Sequence, residues 1–358
     1  MSKTMQKLLT VIVPSYNMEH YLDRCVSSLL SLAPEELKKT EVLIVNDGST
    51  DATSRIAHGY QNQYPDVIKV IDKENGNYGS CINTGLSCAT GKYIKVLDAD
   101  DWFDVDAYSS FVKQLQTLDV DLVVTEYTQV DSEDKITNIS RFCKQDNRVL
   151  TDLKSCNSYW PMHCVCYRTK MLQDHNYEQT PGISYTDTEW SVIPLLYVNS
   201  VAILPLYVYQ YLVGRAGQTM EASILYDRRE QLIKTLTKCV DWINREKEAG
   251  YYTSYPIGRV LISISFLYYT LLIDNKGKEC LELNAFDRYL QQKAPYAYEH
   301  LEEDVRDDAS QFHYVQAWRK NNYVLPEMPW YCKVRVFVHR CKIHVIWLWE
   351  TKVRHRPQ

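Results

Sequence analysis

GKYIKVLDADDW, residues 91–102, runs from a strand-like segment straight into a cluster of acids. Tyr93 to Leu97 is mostly apolar, and Asp98-Ala99-Asp100-Asp101 follows with no break. The same arrangement precedes it three times. Leu9 to Val13 leads to Ser15-Tyr16-Asn17, Glu41 to Val45 to Asn46-Asp47-Gly48-Ser49, and Val67 to Ile71 to Lys73-Glu74-Asn75. Between these runs lie helix-like segments, Tyr21 to Leu32, Thr53 to Tyr64 and Gly79 to Ala89. Strands alternating with helices predict a parallel sheet with helices on both faces. Such sheets bind ligands beyond the carboxyl ends of their strands, where the four polar clusters fall.

Farther along, Leu122 to Thr128, Val165 to Arg168 and Val201 to Tyr211 are strand-like. Past Gly217 the chain turns to long, charged helical stretches such as Asp227 to Lys247. This predicts a first domain over 1–217, with halves at about 1–101 and 102–217, and a mainly helical region over 218–358. The longest apolar run, Val260 to Ile273, is shorter than the roughly 20 residues a spanning helix needs, and reads as a buried helix. The N-terminal apolar run is too short for a secretion signal, so a cytoplasmic location is expected.

The 358 residues are 45% hydrophobic and 24% charged, which excludes a disordered or fibrous chain. The net charge of −5 argues against a nucleic-acid binder. Eleven cysteines, an odd number with only Cys164 and Cys166 closely paired, suit reduced thiols better than a disulfide framework or a zinc site.

The acids carry the chemistry. Three carboxylates within four residues repel one another, a cost that a bound cation offsets. Alternation along an extended segment would set Asp98 and Asp100 on one side, an oxygen pair suited to Mg²⁺ or Mn²⁺. A solvated acidic turn capping the next helix is the plain alternative. No phosphate-cradling glycine loop follows the first strand, so a bound diphosphate would be met by metal and side chains. Asp47 is placed to accept a hydrogen bond from a base or ribose, or to act as a turn residue.

TVIVPSYNMEHYLDRCVSSL, EVLIVNDGSTDAT and ENGNYGSCINTGLSCATGKYIKVLDADDW resemble the nucleotide-sugar half of family 2 glycosyltransferases of the GT-A fold. The resemblance resumes at SYTDTEW (184–190) and YQYLVGRAGQTM (209–220). It implies a GT-A fold, a Rossmann-like, mostly parallel sheet, and an inverting, metal-dependent transfer from a UDP-linked donor to a glycan or lipid-linked glycan, in bacterial surface-polysaccharide assembly. It implies that Pro14, Ser15, Tyr16 and Asn17 pack on uracil and ribose, and that Asp47 accepts from the base. Lys73, Asn77 and Gly79 would close the nucleotide pocket, with Asn83 near the sugar or base. Asp98 would contact ribose or metal, and Asp100 would be the principal ligand of Mn²⁺ or Mg²⁺.

Asp187 falls where the family has its general base, although Thr186 stands where an acid usually precedes it. Glu189 competes for that role. Arg215, flanked by Gly214 and Gly217 and followed by Gln218 and Thr219, lies where relatives fold a mobile loop over the diphosphate. His163 could line an acceptor pocket, and Trp102 and Trp190 could stack on a sugar ring; packing is the ordinary role of each.

From Lys333 onward, seven Lys or Arg face one acid, a local charge of +6 that leaves −11 on the rest of the chain. Val334, Val338, Cys341, Val345 and Leu348 recur at helical spacing near Trp347 and Trp349. This tail reads as a peripheral contact with the inner face of the membrane, a dimer contact or a helix packed on the acidic remainder. Two other functions compete with transfer: a nucleotidyltransferase, which would want a basic glycine-rich loop after the first strand, and a nucleotide-sugar-binding protein without catalysis.

Overall fold

The computed structural model describes residues 7–140, 148–150, 153–156, 159–214, 222–275, 278, 280–307 and 309–337. The predicted segment Val338 to Trp349 and the loop with Arg215, Gly217, Gln218 and Thr219 lie outside the described residues. Two compact units form, Met1–Thr219 with Lys234–Val260, and Met220–Ile233 with Leu261–Gln358.

The first unit is built on one ten-stranded sheet. Its strands are β1 (Leu9–Ser15), β2 (Thr40–Asn46), β3 (Ile68–Asp72), β4 (Tyr93–Val96), β5 (Trp102–Phe103), β6 (Leu122–Val130), β7 (Ile136–Ile139), β8 (Arg148–Leu150), β9 (Val165–Arg168) and β10 (Val201–Leu212). They run in the order 3-2-1-4-9-6-10-5, with β7 on β6 and β8 on β10. β1 to β4 are mutually parallel, so the four polar clusters share one sheet edge as expected. β9 enters antiparallel between β4 and β6, which brings the chain past residue 160 beside the acid cluster. This is the GT-A arrangement.

β1 is buried along its whole length, as a strand covered on both faces must be. The helix Leu22–Leu29 buries Leu22, Cys25, Val26 and Leu29, a stripe at helical spacing. These side chains join Val11, Val13, Val42 and Ile44 in one core with Tyr108 and Phe111. Pro14 pairs with Val45 on the β2 side, while β4 leaves the ladder after Ile12. A residue without an N–H is therefore accommodated where the strand has become one-sided.

The long helix after the acid cluster escaped the sequence-based expectation. Val105–Leu115 begins at Asp104, whose side chain caps Ala107 N at 2.9 Å. The signal was an Asp before an amphipathic run, hidden by the neighbouring acids. In the second unit the buried carboxylate of Asp287 receives the Arg319 guanidinium and the Tyr268 hydroxyl, each at 2.7 Å. The apolar run beyond Val260 belongs to a longer helix, Ser254–Asp274, with a π-turn from Thr270. By length and composition that helix is sufficient to cross a membrane. Val260, Ile264, Leu267, Tyr268, Leu271 and Leu272 are buried, whereas Ile262, Phe266 and Tyr269 are exposed. Burial therefore holds for one face only, because counting uninterrupted apolar residues ignores helical rotation. The nine cysteines among the described residues are free thiols.

Candidate functional site

At the end of β1 the loop is pinned to the loop after β2. Asn17, in the left-handed region at φ 54°, donates its N–H to Ser49 Oγ and accepts from Thr50 N at 2.9 Å. Met18 N donates to Thr53 Oγ1 at 2.6 Å. Ser15 is buried with its Oγ on Val13 O, and Tyr16 stays 47% exposed at the rim. These bonds join the two loops into one lip that carries the exposed Tyr16 ring.

Asp47 lies beneath that lip, 3% exposed. Its Oδ1 accepts from Lys73 Nζ at 2.6 Å and from Gly76 N at 2.9 Å. Lys73 also donates to Ser80 Oγ at 2.9 Å. A buried carboxylate is thus compensated by a cation and a backbone donor. Burial and the charge of Asp47 push the neighbouring Cys81 thiol up to about 12, so it is a neutral donor.

The helix Asn77–Cys88 starts at Asn77, also left-handed at φ 64°. A Cβ on Gly79 would collide with Thr180 O, so only glycine lets this helix approach the segment before Asp187. Asn83 reinforces the approach: its amide gives to Gln179 O and takes from Gln179 N, both at 2.8 Å. Asn83 thereby clasps backbone from beneath, with its amide committed in both directions.

Residues 98–101 form a turn, with Asp101 N on Asp98 O at 3.0 Å. The alternation that would set Asp98 and Asp100 side by side belongs to extended chain and does not apply. Asp98 is grouped with Asp101 and His163 instead, one ligand atom from each lying within 4.8 Å of the others. Asp101 is 1% exposed, taking Tyr209 Oη on Oδ2 at 2.6 Å and Leu212 N on Oδ1 at 2.8 Å. Burial, then the charges of Asp100 and Asp98, hold its carboxyl well above the usual carboxylate range. Asp98 Oδ1 accepts from the Tyr78 hydroxyl at 2.9 Å, and Asp98 N donates to Tyr209 Oη at 3.2 Å.

His163 precedes β9 and is ringed by Tyr127, Tyr209 and Tyr211, with centroids 4.6–5.2 Å away. Its Nδ1 is buried without a partner. Burial and the nearby Lys95 ammonium push the imidazole down to about 3, so it is neutral. Lys95 is itself fully buried on β4, its Nζ on His163 O at 2.7 Å, and burial brings it down to about 8. A lysine inside an apolar strand was the sequence signal for this support.

Asp187 opens the helix Asp187–Val192 two residues after Tyr185, which is strained at φ 65°. Burial raises its carboxyl above the ordinary value, and the charge of Arg259 acts in the opposite direction. Arg259 donates to Trp160 O at 3.3 Å and to Ser191 Oγ at 3.1 Å. Ser191 Oγ in turn donates to Asp187 O at 3.1 Å. The Tyr78 hydroxyl is raised by burial, then by Asp98 and then by Asp187, so both carboxylates lie within electrostatic reach of one phenol. Neither Tyr78 nor Arg259 stood out in sequence, since a tyrosine among 28 and an arginine 72 residues past Asp187 carry no local mark.

Three sequence candidates turn out to be structural. Glu189 is fully buried and bonded to Thr180 N at 2.9 Å and Lys238 Nζ at 2.8 Å, which leaves it in the scaffold. Trp190 is 1% exposed between Tyr167 and Tyr177 and presents no face to a sugar. Trp102 carries the Arg24 guanidinium on its ring, 3.3 Å from the centroid.

Residues 10–179 match the model of glycosyl transferase family 2. An uncharacterized glycosyltransferase of Mycoplasma genitalium, MG060, is 28% identical over 240 residues, covering 64% of this chain and 78% of its own. The MG025 homolog of Mycoplasma pneumoniae is 48% identical over 28% of this chain and 34% of its own length. Streptococcus pneumoniae glycosyltransferase GlyA is 35% identical over 33% of this chain and 16% of its own length. The match therefore spans about a third or less of these last two relatives. In fold, the chain is similar to S. aureus TarS 1-349, solved in complex with UDP-GlcNAc. The TM-score is 0.63 at 19% identity, over 88% of this chain and 89% of that one.

Proposed function

Because this chain belongs to the family 2 glycosyltransferases, we propose that it moves a sugar, with inversion, from a UDP-linked nucleotide-sugar to a hydroxyl of a glycan or lipid-linked glycan in surface-polysaccharide assembly. The observation that carries this reading is Tyr78, bonded to Asp98 and within reach of Asp187. An acid suited to the donor side and one suited to the acceptor side both act on the charge of one phenol although 89 residues separate them.

The lip of Pro14, Ser15, Tyr16 and Asn17 would hold uracil and ribose, with Asp47 beneath as acceptor for the base. Lys73 supports that role by holding the Asp47 carboxylate in place at 2.6 Å. Asn77 and Gly79 would close the nucleotide pocket, and Asn83 would hold the wall behind them. Arg215 is proposed to bind the diphosphate.

Donor chemistry supports a divalent cation at the acidic turn. Asp98 and Asp101 offer carboxylate oxygens, and His163 offers a neutral imidazole with a buried, unsatisfied nitrogen. Asp100, also on the turn, is the ligand that the family resemblance implies. Mn²⁺ or Mg²⁺, when bound, supplies positive charge against the departing diphosphate.

Asp187 acts as general base. It takes the acceptor hydroxyl proton while that oxygen attacks the anomeric carbon. The bond from that carbon to the diphosphate oxygen breaks, and UDP leaves with the electron pair. Arg259 keeps the half-buried base ionised.

The test is UDP release from a panel of UDP-sugars with Mn²⁺ or Mg²⁺, comparing wild type with Asp100→Ala and Asp187→Asn. Metal-dependent release from one donor, lost in both variants, is expected. Absence of UDP binding would overturn the donor assignment.

A further inference from the structure

In the first unit, two segments far apart in sequence meet along a seam that leaves tyrosines open to solvent. Lys154 Nζ lies over the Tyr252 ring, 5.4 Å from its centroid. Tyr159 packs on Tyr255 with ring centroids 5.0 Å apart, and Trp160 packs on the same ring at 5.4 Å. A Cβ on Gly258 would collide with the Tyr159 hydroxyl, so only glycine lets this phenol lie against the helix Ser254–Tyr269. Trp160 O accepts from Arg259 Nε at 3.3 Å, and the charge of Arg259 acts on Asp187. The contacts advance in step, 154 with 252, 159 with 255 and 258, and 160 with 259. The seam therefore leads toward the general base. Trp160 and Tyr255 are buried and anchor it, whereas Tyr159 is 37% exposed and Tyr252 38%. Braced phenols that keep a third of their surface in water form a rigid, amphipathic contact.

We infer that this seam is an acceptor subsite, where sugar rings of a neutral glycan stack on Tyr159 and Tyr252 while its terminal hydroxyl reaches Asp187. The inference rests on the transfer reading and adds to it where the acceptor chain runs beyond the reacting sugar. The occupant follows from chemistry and position. A pyranose ring offers C–H faces to an aromatic ring and hydroxyls to its rim, which matches the apolar body and polar tip of a half-exposed tyrosine. Ion pairing has little to select with. Lys154 is exposed, but Arg259 is spent on Trp160 O, on Ser191 Oγ and on the charge of Asp187. Stacking on two phenols therefore favours a glycan over a polyanion. A second copy of the chain would cover the same rings, yet nothing in it accounts for a seam that ends at the general base.

The experiment is a saturation-transfer NMR titration of the full chain with chitotriose, cellotriose and galactotriose, each against its own monosaccharide. UDP binding with Mn²⁺ is measured separately on the same preparations by calorimetry. One trisaccharide is expected to bind about tenfold more tightly than its monosaccharide. Tyr159→Ala with Tyr252→Ala brings that trisaccharide back to the monosaccharide level. Tyr159→Phe keeps the ring and retains the preference. UDP binding stays unchanged in every variant, which confirms that the variants fold. No trisaccharide preference in the wild type, or a preference that survives both alanines, overturns the subsite. A dimer dissolved by the two alanines overturns it in favour of a second copy. Absence of UDP binding by the wild type overturns the transfer reading instead, and the two failures are told apart because the glycan titration contains no UDP.

Discussion

The Tyr209 hydroxyl donates to Asp101 Oδ2 at 2.6 Å and accepts from Asp98 N at 3.2 Å, so one phenol on β10 ties down both ends of the acidic turn. The two residues are 108 positions apart. Asp101 is thereby a strut that fixes where Asp98 points. Removing the hydroxyl in Tyr209→Phe leaves a buried carboxyl oxygen unsatisfied, a loss of about 1–3 kcal/mol. Urea unfolding of the variant would show it as a lower midpoint at unchanged slope.

A pH–rate profile tests Asp187 and Arg259 together. Burial raises the Asp187 carboxyl above its ordinary value, so the acid limb of kcat/KM is displaced upward from that of a free carboxylate. The base works ionised, and activity falls as pH drops through that limb. Arg259→Met removes the opposing guanidinium and moves the limb to higher pH, while Arg259→Lys restores part of the shift. An acid limb unmoved in Arg259→Met would leave the arginine with packing alone.

His163→Ala is predicted to weaken Mn²⁺ binding by about 10- to 100-fold, with a smaller effect on Mg²⁺. An imidazole suits the softer ion better than the harder one. Titration of bound Mn²⁺ by electron paramagnetic resonance reads this without turnover. Equal losses for both ions would mean that His163 supports the carboxylates only through packing.

Glu189→Gln separates scaffold from chemistry. The buried carboxylate pairs with Lys238 at 2.8 Å and also holds Thr180 N. Neutralising it destabilises the fold by about 3 kcal/mol. At a temperature where the variant remains folded, its pH–rate profile matches wild type. A lost acid limb would return Glu189 to candidacy as the base.

The first hundred residues were largely legible because their signals are local. A buried parallel strand is an apolar run, an amphipathic helix is a period, and both announce themselves within a dozen residues. Val105–Leu115 was missed because its capping Asp104 follows three other acids. The acid cluster itself was visible, but its internal geometry was not. Alternation assumes extended chain, and the bond from Asp101 N to Asp98 O makes it a turn.

By itself the sequence determined the four-strand parallel half, the sheet edge at which Asn17, Asp47, Lys73 and Asp98 gather, and the identity of the acids. Periodicity and side-chain chemistry are properties of neighbours along the chain, and they survive in a string of letters. Only tertiary structure decided that Asp101 is a strut, that His163 stands within 4.8 Å of Asp98, that Glu189 is scaffold, and that Arg259 acts on Asp187. Those assignments depend on β9 running antiparallel between β4 and β6 and on a helix arriving 72 residues after Asp187. Pairings of that kind are settled by how elements bury one another, and no local pattern encodes them.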